Sequence, residues 1–193
     1  MSYINVKNNN IKIISDILKL FQLKFKAVDS KILLTNSSST VIVKEFNKKL
    51  TYTIAKEIWN NYTILIAFLE KINMTISNID IETTYIINDR IIIPTGFFYK
   101  INNNNITISN IFDKSEPYIS RELFNITTLP SNISYKSNYN SLAKFIIKNM
   151  FFVKTKLPDN LQQAITPIYA TKLYWLLYWC LDIDPDNRLL LII

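Results

Sequence analysis

Histidine is absent from this 193-residue chain, and cysteine and glycine each occur once. Without histidine there is no His/Cys metal site and no Ser-His-Asp triad, and a lone Cys180 excludes a disulfide framework within one chain. With Gly96 the first and last glycine, a glycine-rich phosphate loop in its usual form is also excluded. No apolar run reaches the roughly 18 residues that span a bilayer. The most apolar stretch, Leu173–Leu181, has the length of a buried helix. No signal peptide is read at Met1–Asn10, so the Asn-x-Ser/Thr triplets at Asn36, Asn61, Asn73, Asn105, Asn125 and Asn132 are expected products of composition. The expected compartment is a reducing cytoplasm.

What is present describes a globular chain: 49% of residues are hydrophobic and 19% charged, enough for one well-buried domain with or without an appendage. Ile, Asn, Lys and Tyr are used heavily, a bias that AT-rich coding produces and that fits parasites, organelles and large DNA viruses. The net charge of +7 attracts acidic partners. Its basic residues are scattered, with Lys48-Lys49 the one adjacent pair. Nonspecific polyanion binding fits that pattern, and specific nucleic-acid recognition does not.

Periodicity divides the chain into units. Ile14, Ile17, Leu18, Phe21 and Phe25 recur at helical spacing and predict a helix over about Ile11 to Phe25, with Asn8–Asn10 as polar lead-in and cap. Two strands, Lys31–Leu34 and Thr40–Phe46, are expected to form a hairpin through Asn36–Ser39, packed on that helix. A long helix follows over about Tyr52 to Ile72. Asn73–Phe97 then reads as a helix end, a turn around Asp80, a strand Tyr85–Ile87, a tight turn at Asn88-Asp89 and a strand Ile91–Ile93. Both residues of that tight turn tolerate positive φ, which a two-residue hairpin requires. Asn102–Asn105 is expected as an exposed turn before a short strand at Ile106–Ile108, Phe151–Pro167 as a polar connection, and Thr171–Leu181 as a helix buried on most sides.

Four segments in this order resemble the protein kinases. The Asp80 turn and its hairpin resemble the catalytic loop H-R-D-L-K-P-x-N and the strands that lead to D-F-G: Asp80 falls at the catalytic aspartate. Asn78 and Ile79 stand for His-Arg, Tyr85 for the metal-holding asparagine, and Pro94-Thr95-Gly96 for Asp-Phe-Gly. Pro117–Phe124 is similar to the segment ending in Ala-Pro-Glu, with Glu122 at the glutamate and Ser120-Arg121 in place of Ala-Pro. Tyr135–Ile147 resembles the central helix D-x-[WY]-S-L-G, with Asn138 for its aspartate and Ala143 for its glycine; Asn138 also suits a helix cap. Cys180, Leu181, Asp184, Pro185 and Arg188 match C-L-x-x-D-P-x-x-R. There Asp184 is expected to cap a turn with Pro185 at its first position, and Arg188 to project inward as the bidentate partner of Glu122.

The resemblance implies an α+β fold, protein kinase-like, with a mainly helical C-lobe at 47–193 and a small helix-plus-hairpin remnant of the N-lobe at 1–46. A full N-lobe takes about eighty residues, whereas 46 precede Asn47. The first three strands and their lysine are then absent, and Lys44 lies on the wrong strand to replace it. No catalytic residue remains beyond a vestigial Asp80, no cofactor and no metal is implied, and Glu122 with Arg188 is the structural ion pair. The chain is therefore expected not to be an enzyme. It is expected to act as a protein-binding scaffold, regulator or inhibitor like the viral kinase mimics, in the host cytoplasm or a virion if viral, with a protein kinase among the candidate partners. A sheet edge left unpaired by the missing strands is the expected docking place. Two other classes compete: a basic structural protein that packs on nucleic acid in a large DNA virus, and a nucleotide-binding enzyme whose displaced carboxylates are Asp80, Asp89 and Asp113.

Overall fold

The computed structural model describes residues 2–193; Met1, the first residue of the segment read as 1–46, lies outside them. The chain opens with β1 (Ser2–Asn5), α1 (Ile11–Leu20), β2 (Phe25–Val28) and β3 (Lys31–Leu34). Strands β1 and β2 flank β3, both antiparallel, with Ser2 and Phe25 each opposite Leu34. The α1 stripe of Ile14, Ile17 and Leu18 is buried, as its spacing demands.

The helix stops well short of Phe25. Gln22 takes φ 55°, its N–H donates to the Lys19 carbonyl at 2.9 Å and the Leu23 N–H to the Leu18 carbonyl at 2.9 Å. That pair of bonds is a Schellman cap with glutamine at the position usually held by glycine. Phe25 is thereby freed to begin β2, an element absent from the expected pattern, as is β1.

Next come β4 (Thr40–Ile42), a 3-10 turn at Val43–Glu45, α2 (Tyr52–Lys71), β5 (Met74–Thr75), β6 (Thr84–Ile87) and β7 (Ile91–Pro94). The expected hairpin between Lys31–Leu34 and Thr40–Phe46 does not form. β4 pairs instead with β6, Ile42 opposite Tyr85, in the order β4-β6-β7. The polar loop between them is drawn across: Asn36 Oδ1 accepts the Lys24 N–H at 2.8 Å, and Ser38 donates its N–H to Asn88 Oδ1 at 2.8 Å. The β6-β7 hairpin does turn at Asn88-Asp89, with φ of 53° and 59°.

Beyond it lie β8 (Tyr99–Lys100), paired with β5, then β9 (Asn105–Ile108), α3 (Arg121–Phe124) and β10 (Ser131–Ser134), paired with β9. Asn103 and Asn104, with φ of 49° and 60°, make the expected turn into β9. Ile106, Ile108, Ile119, Leu123 and Ile133 form a small core of their own around α3. α4 (Ser137–Phe151), α5 (Leu161–Ala164) and α6 (Lys172–Cys180) complete the elements.

Six α-helices and four small antiparallel sheets among the described residues make the class α+β. The main core draws on α1, α2, α4, α6 and the β4-β6-β7 sheet. The segment after α6 returns to α2, where the Trp59 Nε1–H donates to the Leu191 carbonyl and the Asn60 amide to that of Ile193, each at 2.7 Å. α6 is less enclosed than its composition suggests: Trp175 and Trp179, one turn apart, are 42% and 36% exposed. No helix among the described residues is long and apolar enough to cross a membrane.

Candidate functional site

Asp80 lies in the loop between β5 and β6, and α4 is the base that holds this loop. Ser137 Oγ donates to the Ser77 carbonyl at 2.8 Å, and Ser141 Oγ accepts the Ile79 N–H at 2.8 Å. The Asn138 amide donates to Thr75 Oγ1 at 3.0 Å and to the Tyr135 carbonyl at 2.8 Å. All three residues are fully buried. Asn138 is thus not the cap expected of it. The cap position is Lys136, which makes no side-chain cap bond, and Asn138 sits inside the helix spanning to β5. The signal for the holding role of Ser137 and Ser141, a role not read in the sequence, is a polar pair on a helix buried nearly all round: such groups persist in a core only with partners.

The Asp80 side chain is spent on its own turn, Oδ1 accepting the Glu82 N–H at 2.8 Å and the Thr83 N–H at 2.9 Å. The Asn78 amide meets Glu116 Oε2 at 3.3 Å. Burial pushes the half-buried Glu116 carboxyl up to about 7, helped by the negative charges of Asp80, Asp113 and Glu82 and opposed by the Ile81 N–H. Tyr85, expected at the place of a metal-holding asparagine, turns its hydroxyl to the Asn5 N–H at 3.4 Å.

Pro94-Thr95-Gly96 closes the recess beside Asp80. Thr95 donates its N–H and hydroxyl to the Thr83 carbonyl at 2.7 and 2.8 Å, and the Asn10 amide donates to the Gly96 carbonyl at 2.5 Å. Asn10 therefore ties α1 to this segment rather than capping its own helix, where it makes no side-chain cap bond. A Cβ added at Gly96 would collide with Thr83 Oγ1, so the single glycine marks a close approach. The recess that remains holds about 20 Å³. One water takes about 10–15 Å³ on this scale, whereas drug-sized ligand pockets run to about 300–1,000 Å³.

The three carboxylates of the nucleotide-enzyme reading do not form one group: Asp80 and Asp113 both act on Glu116, and Asp89 lies apart on the hairpin turn. Asp113 accepts from the Ser115 N–H and hydroxyl at 2.8 and 2.7 Å, and Asp89 pairs with Lys48 at 2.6 Å on the hairpin turn. Among the described residues no three His, Cys, Asp or Glu side chains are grouped to hold a metal ion. Lys44 lies in the 3-10 turn after β4, not on a strand, and its Nζ pairs with Glu82 at 2.6 Å.

Glu122 and Arg188 do meet. Arg188 is fully buried, and its Nη2 lies 2.5 Å from Glu122 Oε1 on α3. The pairing is through one carboxylate oxygen, not the bidentate fork expected from the sequence. Nε and Nη2 both donate to the Asp182 carbonyl, at 3.0 and 2.9 Å, and Nη1 to that of Lys136 at 3.4 Å, while Glu122 Oε2 has no partner among the described residues. The guanidinium is committed to carbonyls because the 3-10 turn Pro185–Asn187 brings Arg188 back over Asp182. Asp184 Oδ1 caps that turn, accepting the Asp186 N–H at 3.0 Å, with Pro185 at its first position. Cys180 backs it, its buried thiol pushed up by desolvation and donating to the Leu189 carbonyl at 3.1 Å.

No protein-family model matches the chain, and no curated protein was found similar to it.

Proposed function

We propose that the chain is a catalytically inactive protein kinase-like protein that acts by binding a protein partner, with protein kinases as the first partner class to test. The observation that carries this reading is the buried Arg188, bonded across three segments to Asp182, Lys136 and Glu122. It supports the likeness to the kinase C-lobe because an arginine following C-L-x-x-D-P-x-x pairs with the glutamate of the Ala-Pro-Glu segment there.

The inactivity follows from chemistry. Phosphoryl transfer is positioning and charge neutralisation around magnesium and phosphate, and it needs carboxylates that hold metal beside the catalytic aspartate. In this chain Pro94-Thr95-Gly96 and Tyr85 occupy those places, and Asp80 accepts from its own turn. The recess beside it, about 20 Å³, supports this reading.

A thermal-shift titration with magnesium-ATP tests the first half. Saturation at a hundredfold over Kd adds about 2.7 kcal/mol, several degrees at this size. No shift is expected, and a shift of that size overturns inactivity. For the second half, the purified chain is added to a panel of protein kinases under single-turnover conditions. Binding to and slowing of at least one is expected; a panel without a binder overturns the partner class.

A further inference from the structure

A recess away from Asp80, between α3, α4, α5 and the segment after α6, has a volume of about 540 Å³. That is within the range of occupied ligand sites. Its lining contains one polar group with an unmet need. Asn140 on α4 is 5% exposed; its amide N–H donates to the Cys180 carbonyl at 3.2 Å, and its Oδ1 has no partner among the described residues. The Cys180 carbonyl fixes the amide orientation, because only the nitrogen end can donate to it. The orphan is therefore an acceptor, and it calls for a donor.

Charge along the same walls is of one dominant sign. Arg121 is exposed on α3 and takes part in no ion pair among the described residues. Lys144, one turn along α4 from Asn140, spends one N–H on the Ile119 carbonyl at 2.6 Å, leaving two donors. Burial lowers its pKa, opposed by the nearby Glu122 charge, so an anion arriving there strengthens its charged form. Asp159 is the one carboxylate in the lining. At the mouth, Phe124 and Ile183 are 52% and 70% exposed.

We propose that this cleft docks an acidic peptide segment of a protein partner. A carboxylate side chain pairs with Arg121 and Lys144, a backbone N–H reaches Asn140 Oδ1, and a large apolar side chain covers Phe124 and Ile183. A free anion matches the cations but leaves the apolar mouth and the orphan acceptor unused. A peptide with a carboxylate beside an apolar residue matches all three. The proposal rests on the protein-binding half of the function above and is independent of the kinase likeness.

The test is selection of random 12-residue displayed peptides on the 193-residue chain, followed by fluorescence anisotropy of the labelled winners against variants. Enriched peptides are expected to carry Asp or Glu next to Leu, Ile or Phe and to weaken as salt rises. Arg121→Glu, an exposed change that leaves Tm in place, is expected to weaken them about tenfold or more. Asn140→Ala is expected to weaken them several-fold. Peptides that are neutral or basic, that bind Arg121→Glu unchanged, or that inorganic phosphate displaces at equal concentration overturn the site. A protein kinase that binds the chain and its Arg121→Glu variant alike also overturns the cleft, while leaving the protein-binding function standing. Acidic peptides held at the cleft of a chain that also shows a magnesium-ATP shift support the cleft and remove only the inactivity.

Discussion

Asp80 and Arg188 lie in the first and last of the segments on which the proposed kinase likeness rests, and their surroundings are built in opposite ways. The Asp80 carboxylate bonds to N–H groups two and three residues ahead, closing a turn on itself. The Arg188 guanidinium bonds to Asp182, Lys136 and Glu122, drawing the segment after α6, the start of α4 and α3 to one point. A local turn keeps its shape from its own residues and holds little else. A buried charge with distant partners is the reverse: each partner depends on the rest of the fold, and the loss of one leaves charge stranded in the core.

Arg188→Ala tests the contrast with the largest effect. Removing one side of a buried charged pair costs about 3–5 kcal/mol, which at this chain length lowers Tm by about 10 °C in calorimetry. An unchanged Tm would mean that the carbonyls and Glu122 satisfy themselves without it, and the contrast with Asp80 would collapse. Gly96→Ala comes next. Its Cβ meets Thr83 Oγ1, so overpacking of about 1–3 kcal/mol is expected. Thr83→Ala in the same chain removes the struck atom and should recover much of that loss, as read from the denaturant midpoint.

Asp80→Ala is expected to cost only about 1 kcal/mol, the net worth of turn hydrogen bonds that water largely replaces. A loss as large as that of Arg188→Ala would show that the Asp80 turn is no local affair. The same substitution removes a negative charge from beside Glu116, so the Glu116 carboxyl, held near pH 7, should titrate lower in a carbon-detected NMR titration.

The smallest effect is the pH dependence of Glu116 itself. Its folded pKa of about 7 lies above the ordinary 4.5, so between these values the folded chain binds more protons than the unfolded one. Stability from this group is then greatest below pH 4.5 and falls as pH rises to about 7. Glu116 is only half-buried, so solvent screening keeps the slope shallow. Glu116→Gln should flatten urea-derived stability across that window; an unaltered slope would assign the titration to another group.

Much of this architecture was open to reading because its causes are local. The Asn88-Asp89 turn needs two residues that accept positive φ, and nothing distant is required to say so. Thr51 and Thr171 accept N–H groups three residues ahead, and Asp184 one two ahead, all within their own first turn. The stripe of α1 and the apolar face of α2 follow from helical spacing alone.

Other features depend on partners far along the chain. α1 ends at Gln22 without the glycine that usually marks such an end, because Leu23 sinks into the core and carries the turn with it. Asn138 looks like a cap by type, yet the burial of α4 turns it toward Thr75. The single-oxygen contact of Arg188 with Glu122 depends on how the Asp182 carbonyl competes for the same fork.

Residue order thus settles the Asn88-Asp89 turn, the helical stripes and the caps at Thr51, Thr171 and Asp184, since each rests on neighbours within about four positions. Three-dimensional packing settles that β4 leaves β3 for β6, that the Asp80 recess shrinks to the space of one water, and that Asn140 is left with an acceptor unmet. A strand's hydrogen bonds, a cavity's volume and a buried group's missing partner are sums over residues that are remote in sequence. Their outcome exists only once the core has closed.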